Sequence, residues 1–306
     1  MELFFTLFER ILPLICLIGL GFIAGRVIKV DRESIARLLI YMIAPVVFFS
    51  SIVNLKWRHE YSFGPFLVFF ICTLVAVVFK LLSYRSFGSV QSGLIGFASG
   101  NANSGYFGVP LALALYGEEG VSLLILIMMG FTLYENTVGF YLLAQGKYGP
   151  KDALRKLVKL PALYALLLAG IVKIMGFRLT GVLLDWTQYF RGAYSILGMM
   201  LIGLGLSQAR GIKLDLRLNT VLFLGKFVAW PLTAFAVIRL DVWLGFHWLP
   251  DEARPLVMLL ACCPLAANTV AFASFLHLEV ERVSSAVLLS TVFGVVWIPL
   301  LLTVLK

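Results

Sequence analysis

Apolar residues along this chain run in long stretches, and the charged and turn-forming residues collect in short gaps between them. Each stretch approaches the roughly 20 residues that carry a helix across a bilayer. The pattern predicts ten spans, at 3–25, 35–54, 62–83, 92–115, 121–144, 160–177, 189–208, 219–240, 254–276 and 284–305. The longest and most basic gap runs from Gly149 to Leu160. At about 30 residues per span and loop, ten spans use the whole chain. The expectation is an all-α membrane protein with a single transmembrane domain over 1–306.

Composition agrees with the pattern. Hydrophobic residues make up 61% of the 306 positions and charged residues 13%, against roughly 45–50% and about 25% in soluble domains. This excludes a soluble enzyme, a disordered tail and a nucleic-acid-binding domain. The net charge of +9 then reads as membrane topology, because cytoplasmic loops collect Lys and Arg. The 25 basic residues divide 15 to 8 between the gaps after odd-numbered spans and the other side, with Lys173 and Lys226 inside spans. The odd gaps are therefore expected in the cytoplasm and both termini outside, in a multi-pass cell-membrane protein. No small-residue cleavage site follows the first run, so it reads as a retained span. Cys16, Cys72, Cys262 and Cys263 lie in apolar runs, and His59, His247 and His277 in gaps, so neither set suggests a metal site.

The stretch Lys151–Lys159 places Leu154, Leu157 and Val158 at helical spacing among cations. It reads either as a short helix lying on anionic membrane lipid or as a solvated loop. Trp57, Trp186, Trp243 and Trp248 near span ends suit an interfacial belt.

The two halves echo each other, as repeat one over 1–145 and repeat two over 160–306. In each, the fourth span is interrupted: by Ser99-Gly-Asn-Ala-Asn-Ser-Gly105, with Gly108 and Pro110 following, and by Cys262-Cys-Pro-Leu-Ala-Ala-Asn-Thr269. Five is an odd number, so two such halves have opposite topology. Inverted repeats with broken helices at matching places point to a secondary transporter. A break at membrane depth leaves backbone groups unpaired, which is tolerable only inside protein or beside a water-filled cavity. Gly100 and Gly105 permit the turn, while Pro110 and Pro264 disrupt the helix. The half-helix after each break presents free N–H groups that suit an anion. Asn101 and Asn103 can cap that end or donate to a carboxylate. Asn268 and Thr269 can do the same from span nine. The competing reading is a kinked helix with its Asn side chains bonded to neighbouring helices.

At these residues the sequence resembles the auxin efflux carrier family, which includes plant PIN-type auxin exporters and bacterial organic-acid permeases. The resemblance is carried by Gly100-Asn-Ala-Asn-Ser-Gly-Tyr-Phe-Gly-Val-Pro110, Gly117-Glu-Glu-Gly120, Gly203-Leu-Gly-Leu-Ser207 and Pro264-Leu-Ala-Ala-Asn-Thr-Val-Ala-Phe-Ala273. It implies a sodium/bile acid symporter-like fold of two inverted five-helix repeats in which broken helices four and nine cross. It further implies a scaffold of spans 1, 2, 6 and 7, a transport part of spans 3–5 and 8–10, and an elevator-type carrier of organic anions that forms a homodimer. By position, Asn103 and Pro110 match the family's crossover in span four, and Pro264 and Asn268 the bacterial pattern in span nine. Plant members have Pro where this chain has Thr269, and a long central loop that it lacks, so it resembles a prokaryotic permease. The Asp–Lys pair of the plant exporters' third span has no counterpart here.

The substrate contacts expected from this reading are Asn101, Asn103, Ser104, Asn268 and Thr269. Glu135 lies well inside span five beside Asn136, which matches a polar position of bacterial members. Buried charge is costly and usually faces a cavity or a partner. Glu135 reads as a proton or sodium site, as a partner for Lys226, or as a structural helix–helix contact. Lys226 either snorkels to the interface or attracts an anion from within the transport part. Lys173 and Lys80 are expected to snorkel. The spans carry no paired acids, no Ser/His set and no HExxH motif, which argues against an intramembrane enzyme. A neutral crossover favours an anionic or zwitterionic solute, and the resemblance implies a small organic anion, such as malate, malonate or an auxin-like acid. A cation/proton antiporter of similar fold would want carboxylates at the crossover. No cofactor is expected, with sodium or proton coupling left open.

Overall fold

A computed structural model describes residues 2–55, 62–207 and 215–304. Trp57, His59 and several gap cations (Lys56, Arg58, Arg210, Lys213 and Lys306) lie outside the described residues. Those described form helices, turns and short links, with no strand among them.

The first helix, α1 (Glu2–Ile23), runs on through a π turn, Ala24–Ile28. Asp31 then caps α2 (Arg32–Leu38), accepting hydrogen bonds from the N–H groups of Glu33 at 3.4 Å and Ser34 at 2.8 Å. Ser34, through its hydroxyl and its N–H, holds the Asp31 carboxyl below its ordinary pKa. A second π turn, Leu39–Ile43, leads into α3 (Ala44–Val53). Then follow α4 (Gly64–Gly100), α5 (Val109–Tyr134), α6 (Phe140–Val158), α7 (Pro161–Ile174) and α8 (Gly181–Ser207). The chain continues with α9 (Leu216–Phe223), α10 (Trp230–Trp243), α11 (Arg254–Cys262), α12 (Asn268–Phe275) and α13 (Val280–Val304).

Two polar gaps of the sequence are turns inside these helices. Gly88 in α4 has φ 73° and Gly117 in α5 has φ 63°, a region open to glycine and strained for other residues. A Cβ at Gly96 would touch the Ala76 carbonyl and one at Gly100 the Cys72 carbonyl, so the halves of α4 run antiparallel about Gly88. Gly108 similarly faces Leu124 across Gly117. A third such residue, Gly149 (φ 77°), precedes Pro150 and separates the basic stretch from the apolar part of α6. That stretch is helical, with Leu154 and Val158 exposed and Lys156 Nζ 4.1 Å from the Tyr148 ring centroid.

Six helical segments among the described residues are long and apolar enough to cross a membrane: Arg32–Val53, Gly64–Gly100, Leu111–Val158, Gly181–Ser207, Leu216–Trp243 and Val280–Ile298. Shorter apolar helices cover Leu12–Ile28 and Pro161–Ile174. Helix α8 begins eight residues before the predicted start of span seven at 189, because Val182, Leu183 and Leu184 extend the apolar pattern.

Three apolar cores hold the helices together. One joins α4, α5, α10 and α11, where Phe131 stacks on Trp230 with centroids 5.4 Å apart. A second joins α1, α2, α8, α12 and α13 with the later half of α4. A third packs α3 on α7. Trp186, Trp243 and Trp248 are exposed near helix ends, whereas Trp230 is fully buried and belongs to no belt.

The lysines have protein partners or an aromatic surface within reach. Lys80 donates to the Leu142 carbonyl at 3.3 Å and to Gln145 Oε1. Lys173 donates to the carbonyls of Val53, at 3.1 Å, and Leu55, closing the C-terminal end of α3. Lys226 is fully buried. Its ammonium lies 4.8 Å from the Trp230 ring centroid and 5.7 Å from that of Phe131, and its Nζ has no hydrogen-bond partner. It is therefore not ion-paired with Glu135. Replacing Lys173 with Met leaves two helix-end carbonyls without their donor. We expect a loss of about 1–3 kcal/mol, read as a lower thermal midpoint in detergent.

The end of the molecule that holds the odd gaps is tightly fastened. Gln91 donates to both Glu279 oxygens at 3.0 Å. Arg282 pairs with Glu279 at 2.9 Å and Asp215 at 3.5 Å. Lys147 and Tyr148 donate to the Leu276 carbonyl, both at 3.0 Å, at the end of α12.

Candidate functional site

The interruption between α4 and α5 starts where Asn101 leaves the helix with extended backbone (φ −109°, ψ 164°). Ala102 and Asn103 follow, then a π turn, Ser104–Gly108, that opens α5. The matching interruption begins at Cys263 (φ −64°, ψ 144°) and ends where α12 starts at Asn268. The two meet directly: the Asn103 N–H donates to the Pro264 carbonyl at 2.8 Å. Pro264 itself rests against Gly294 of α13, where an added Cβ would sit 3.3 Å from its ring. The next N–H, of Leu265, donates to Ser290 Oγ at 3.2 Å. Two backbone N–H groups freed by the interruptions, those of Asn103 and Leu265, are thus satisfied by the other interruption and by α13, the pairing that a membrane interior favours.

The glycines act differently from expectation. Neither Gly100 nor Gly105 has positive φ, so neither is needed for its dihedral freedom. Gly100 is required by close approach, since a Cβ there would lie 2.5 Å from Tyr134 Oη and 2.6 Å from the Cys72 carbonyl. Gly105 faces open space. Pro110 follows the π turn that opens α5, where its ring removes a backbone donor from the helix.

The asparagines do not cap the half-helices. Asn101 accepts from the Ala102 N–H at 2.8 Å and donates through Nδ2 to Glu135 Oε2 at 3.0 Å. From the other interruption, Asn268 Nδ2 donates to Glu135 Oε1 and Oε2 at 3.2 and 3.1 Å. Asn136 Nδ2 reaches Oε1 at 3.5 Å and the Thr132 carbonyl at 2.8 Å. One buried carboxylate therefore accepts from both interruptions. It stands at the head of a π turn, Glu135–Gly139, a distortion frequent at functional sites. Asn103 is also buried, and its Nδ2 has no partner.

A cavity of about 410 Å³ opens beside this junction, within the range of small-molecule sites. Asn101, Asn103, Ser104, Glu135 and Asn268 line it. Thr269 does not; its hydroxyl is buried and unpartnered. Apolar walls come from α3 and α5, and α8 contributes Arg191, Tyr194 and Ser195. The cavity extends from the interruptions toward the end of the molecule where α3 finishes and α8 begins. Arg191 is the residue sequence reasoning missed. Counted as a charge outside the membrane, it lies ten residues into α8, and the apolar run from Val182 was the signal that could have placed it there. Among the described residues, no group of three or more His, Cys, Asp or Glu could hold a metal ion.

A family model described as membrane transport protein matches residues 6–302. The chain is 25% identical over 305 residues to an uncharacterized transporter of Methanocaldococcus jannaschii, covering 95% of this chain and 96% of that one. It is 26% identical over 302 residues to an uncharacterized transporter of Methanothermobacter thermautotrophicus, again covering 95% and 96%.

Proposed function

Since the chain belongs to the membrane transport protein family of auxin efflux carriers, we propose that it is a secondary carrier of a small organic anion. The solute binds in the cavity beside the two interruptions. The observation that carries this reading is Asn103: its backbone joins the interruptions, while its buried Nδ2 has no protein partner and the residue borders the cavity. A buried polar group is normally paired, so an unpaired amide at a cavity wall suits a ligand. Ser104 adds a hydroxyl beside it.

In this reading ten spans form two inverted repeats, with the interruptions as the crossover of spans four and nine. The close packing of α1 on α8 and of α3 on α7 supports a scaffold, and the core that α4, α5, α10 and α11 share supports a transport part. Movement of one against the other is elevator transport, with the scaffold as the homodimer face. The termini lie outside the cytoplasm of a cell-membrane protein. On that orientation the cavity extends outward and the fastened end faces the cytoplasm. Malate, malonate and auxin-like acids are the candidate solutes.

Glu135 favours one further element. Its carboxylate receives amides from both interruptions, so binding a proton or sodium ion there would alter the bonds that hold them together. Ion-coupled transport follows, in preference to a cation/proton antiporter, since the other crossover side chains are neutral.

We expect Asn103→Ala to lower carboxylate uptake into proteoliposomes by about tenfold or more, the size of one hydrogen bond to a charged group. Its thermal midpoint should move little, because the bond to Pro264 belongs to the backbone. Wild-type uptake in this variant refutes the binding site.

A further inference from the structure

We propose that the basic helix following Gly149 is a docking site for anionic lipid. Lys151, Arg155 and Lys159 hold the phosphate headgroups, and Leu154 and Val158 enter the acyl region beside them. The site lies apart from the cavity and is independent of the solute carried.

Two bends set this stretch off as an element of its own. Gly149 has φ 77°, and Leu160 returns to extended backbone (φ −72°, ψ 121°) just before Pro161 opens α7. One face turns inward. Ala153 and Leu160 are fully buried, and Leu157 packs beside them against the core that includes α1, α8, α12 and α13. Leu154 and Val158, each one residue further round, stay uncovered, 54% and 47% exposed. Lys151, Arg155 and Lys159 recur at four-residue intervals, all exposed, so they form one row beside the uncovered pair.

The protein itself makes little use of this row. Lys151 and Lys159 have no ion pair or side-chain hydrogen bond among the described residues. Arg155 meets Asp152 at 3.1 Å, with both side chains more than half exposed, a pair of small worth. A helix C-terminus favours cations, which suits Arg155 and Lys159. Lys151 stands in the first turn after Gly149, where the same dipole opposes it. With Lys156, four cations stand against one acid over 151–159, beside an uncovered apolar pair, the pattern of a helix that lies on a negative membrane surface. A span adjoins it: α7 begins two residues after Lys159 and leaves Tyr164, Leu167 and Leu168 exposed. One anionic lipid answers both parts of the surface, headgroup to cations and chain to Leu154 and Val158.

The test uses the full-length protein in phosphatidylcholine vesicles. Cys16→Ser removes the exposed thiol, the other three being buried, and Leu154→Cys carries a bimane fluorophore. Phosphatidylglycerol or phosphatidylcholine with a nitroxide on its acyl chain is added at equal mole fraction, and quenching gives each lipid's association with the helix. Phosphatidylglycerol should exceed phosphatidylcholine by about threefold or more. Lys151→Gln, Arg155→Gln and Lys159→Gln together should bring the ratio near one. A label at Val158→Cys should report the same ratios, so disturbance of one apolar position does not decide the result. Each ratio compares two lipids on one preparation, so the folded fraction cancels. A ratio near one with the cations intact, or one unchanged by the triple substitution, overturns the proposal. A label that neither lipid quenches places the helix in water and overturns it too. Loss of the preference in inorganic phosphate, beyond the loss in sodium chloride of equal ionic strength, assigns the cations to a soluble anion and overturns lipid as the occupant.

Discussion

Glu135→Ala should unfold at a markedly lower temperature than the wild-type protein and carry no solute. The carboxylate accepts from Asn101 at 3.0 Å and from Asn268 at 3.2 and 3.1 Å. Removing it leaves two buried amides without acceptors, each at about 1–3 kcal/mol. The combined cost is about 2–6 kcal/mol, a large share of a typical folding free energy. The loss falls where the interruptions meet, so transport should fail even in the fraction that folds. Glu135→Gln separates the two roles. It keeps one acceptor oxygen and so part of the stability, but cannot take up and release a proton. Its uptake should lose whatever pH dependence the wild type shows. A wild-type melting temperature in Glu135→Ala would reject the structural role, and an unchanged pH profile in Glu135→Gln the coupling role.

The second large effect is expected at Gly203, where α8 meets α1. A Cβ there would lie 1.9 Å from the Ile18 carbonyl oxygen and 2.5 Å from the Phe22 nitrogen. The reciprocal position, Gly21, would place a Cβ 2.1 Å from the Met200 carbonyl. All of these are backbone atoms, so no side chain can rotate away and the helices must separate. Small residues at such contacts are what let membrane helices pack closely. Overpacking usually costs about 1–3 kcal/mol, and with backbone on both sides Gly203→Ala should reach the top of that range or pass it. Gly19→Ala is the contrast. Nothing lies within 4 Å of its added Cβ, and alanine is the better helix former, so its stability should hold or rise. Equal melting temperatures for the two variants would refute the close packing.

Much of the helical layout was legible because hydrophobic runs are what a bilayer selects. The runs at 62–83 and 92–115 fall on either side of Gly88, and the polar gap between them is the turn. The interruptions were legible from Ser99–Gly105 and Cys262–Thr269, whose composition cannot sustain a regular helix. Their mutual contact was not, because a backbone bond from Asn103 to Pro264 leaves no trace in residue type. Glu135 stood out as an acid inside a span, but composition could not choose among its partners. Spacing along one helix says nothing of the amides that two other segments bring to it. The lysine partners were hidden for a related reason: Lys80 and Lys173 reach carbonyls of other segments, which residue type does not mark. Arg191 was missed through a misplaced helix start.

The bond between Asn103 and Pro264 has a consequence for sequence drift. Its donor and acceptor are main-chain atoms, so exchanging either side chain leaves it intact. Only an imino acid at position 103 removes the hydrogen. A saturation library should therefore tolerate many residues there for assembly while rejecting proline. In deuterated buffer this amide should exchange among the slowest outside regular helix.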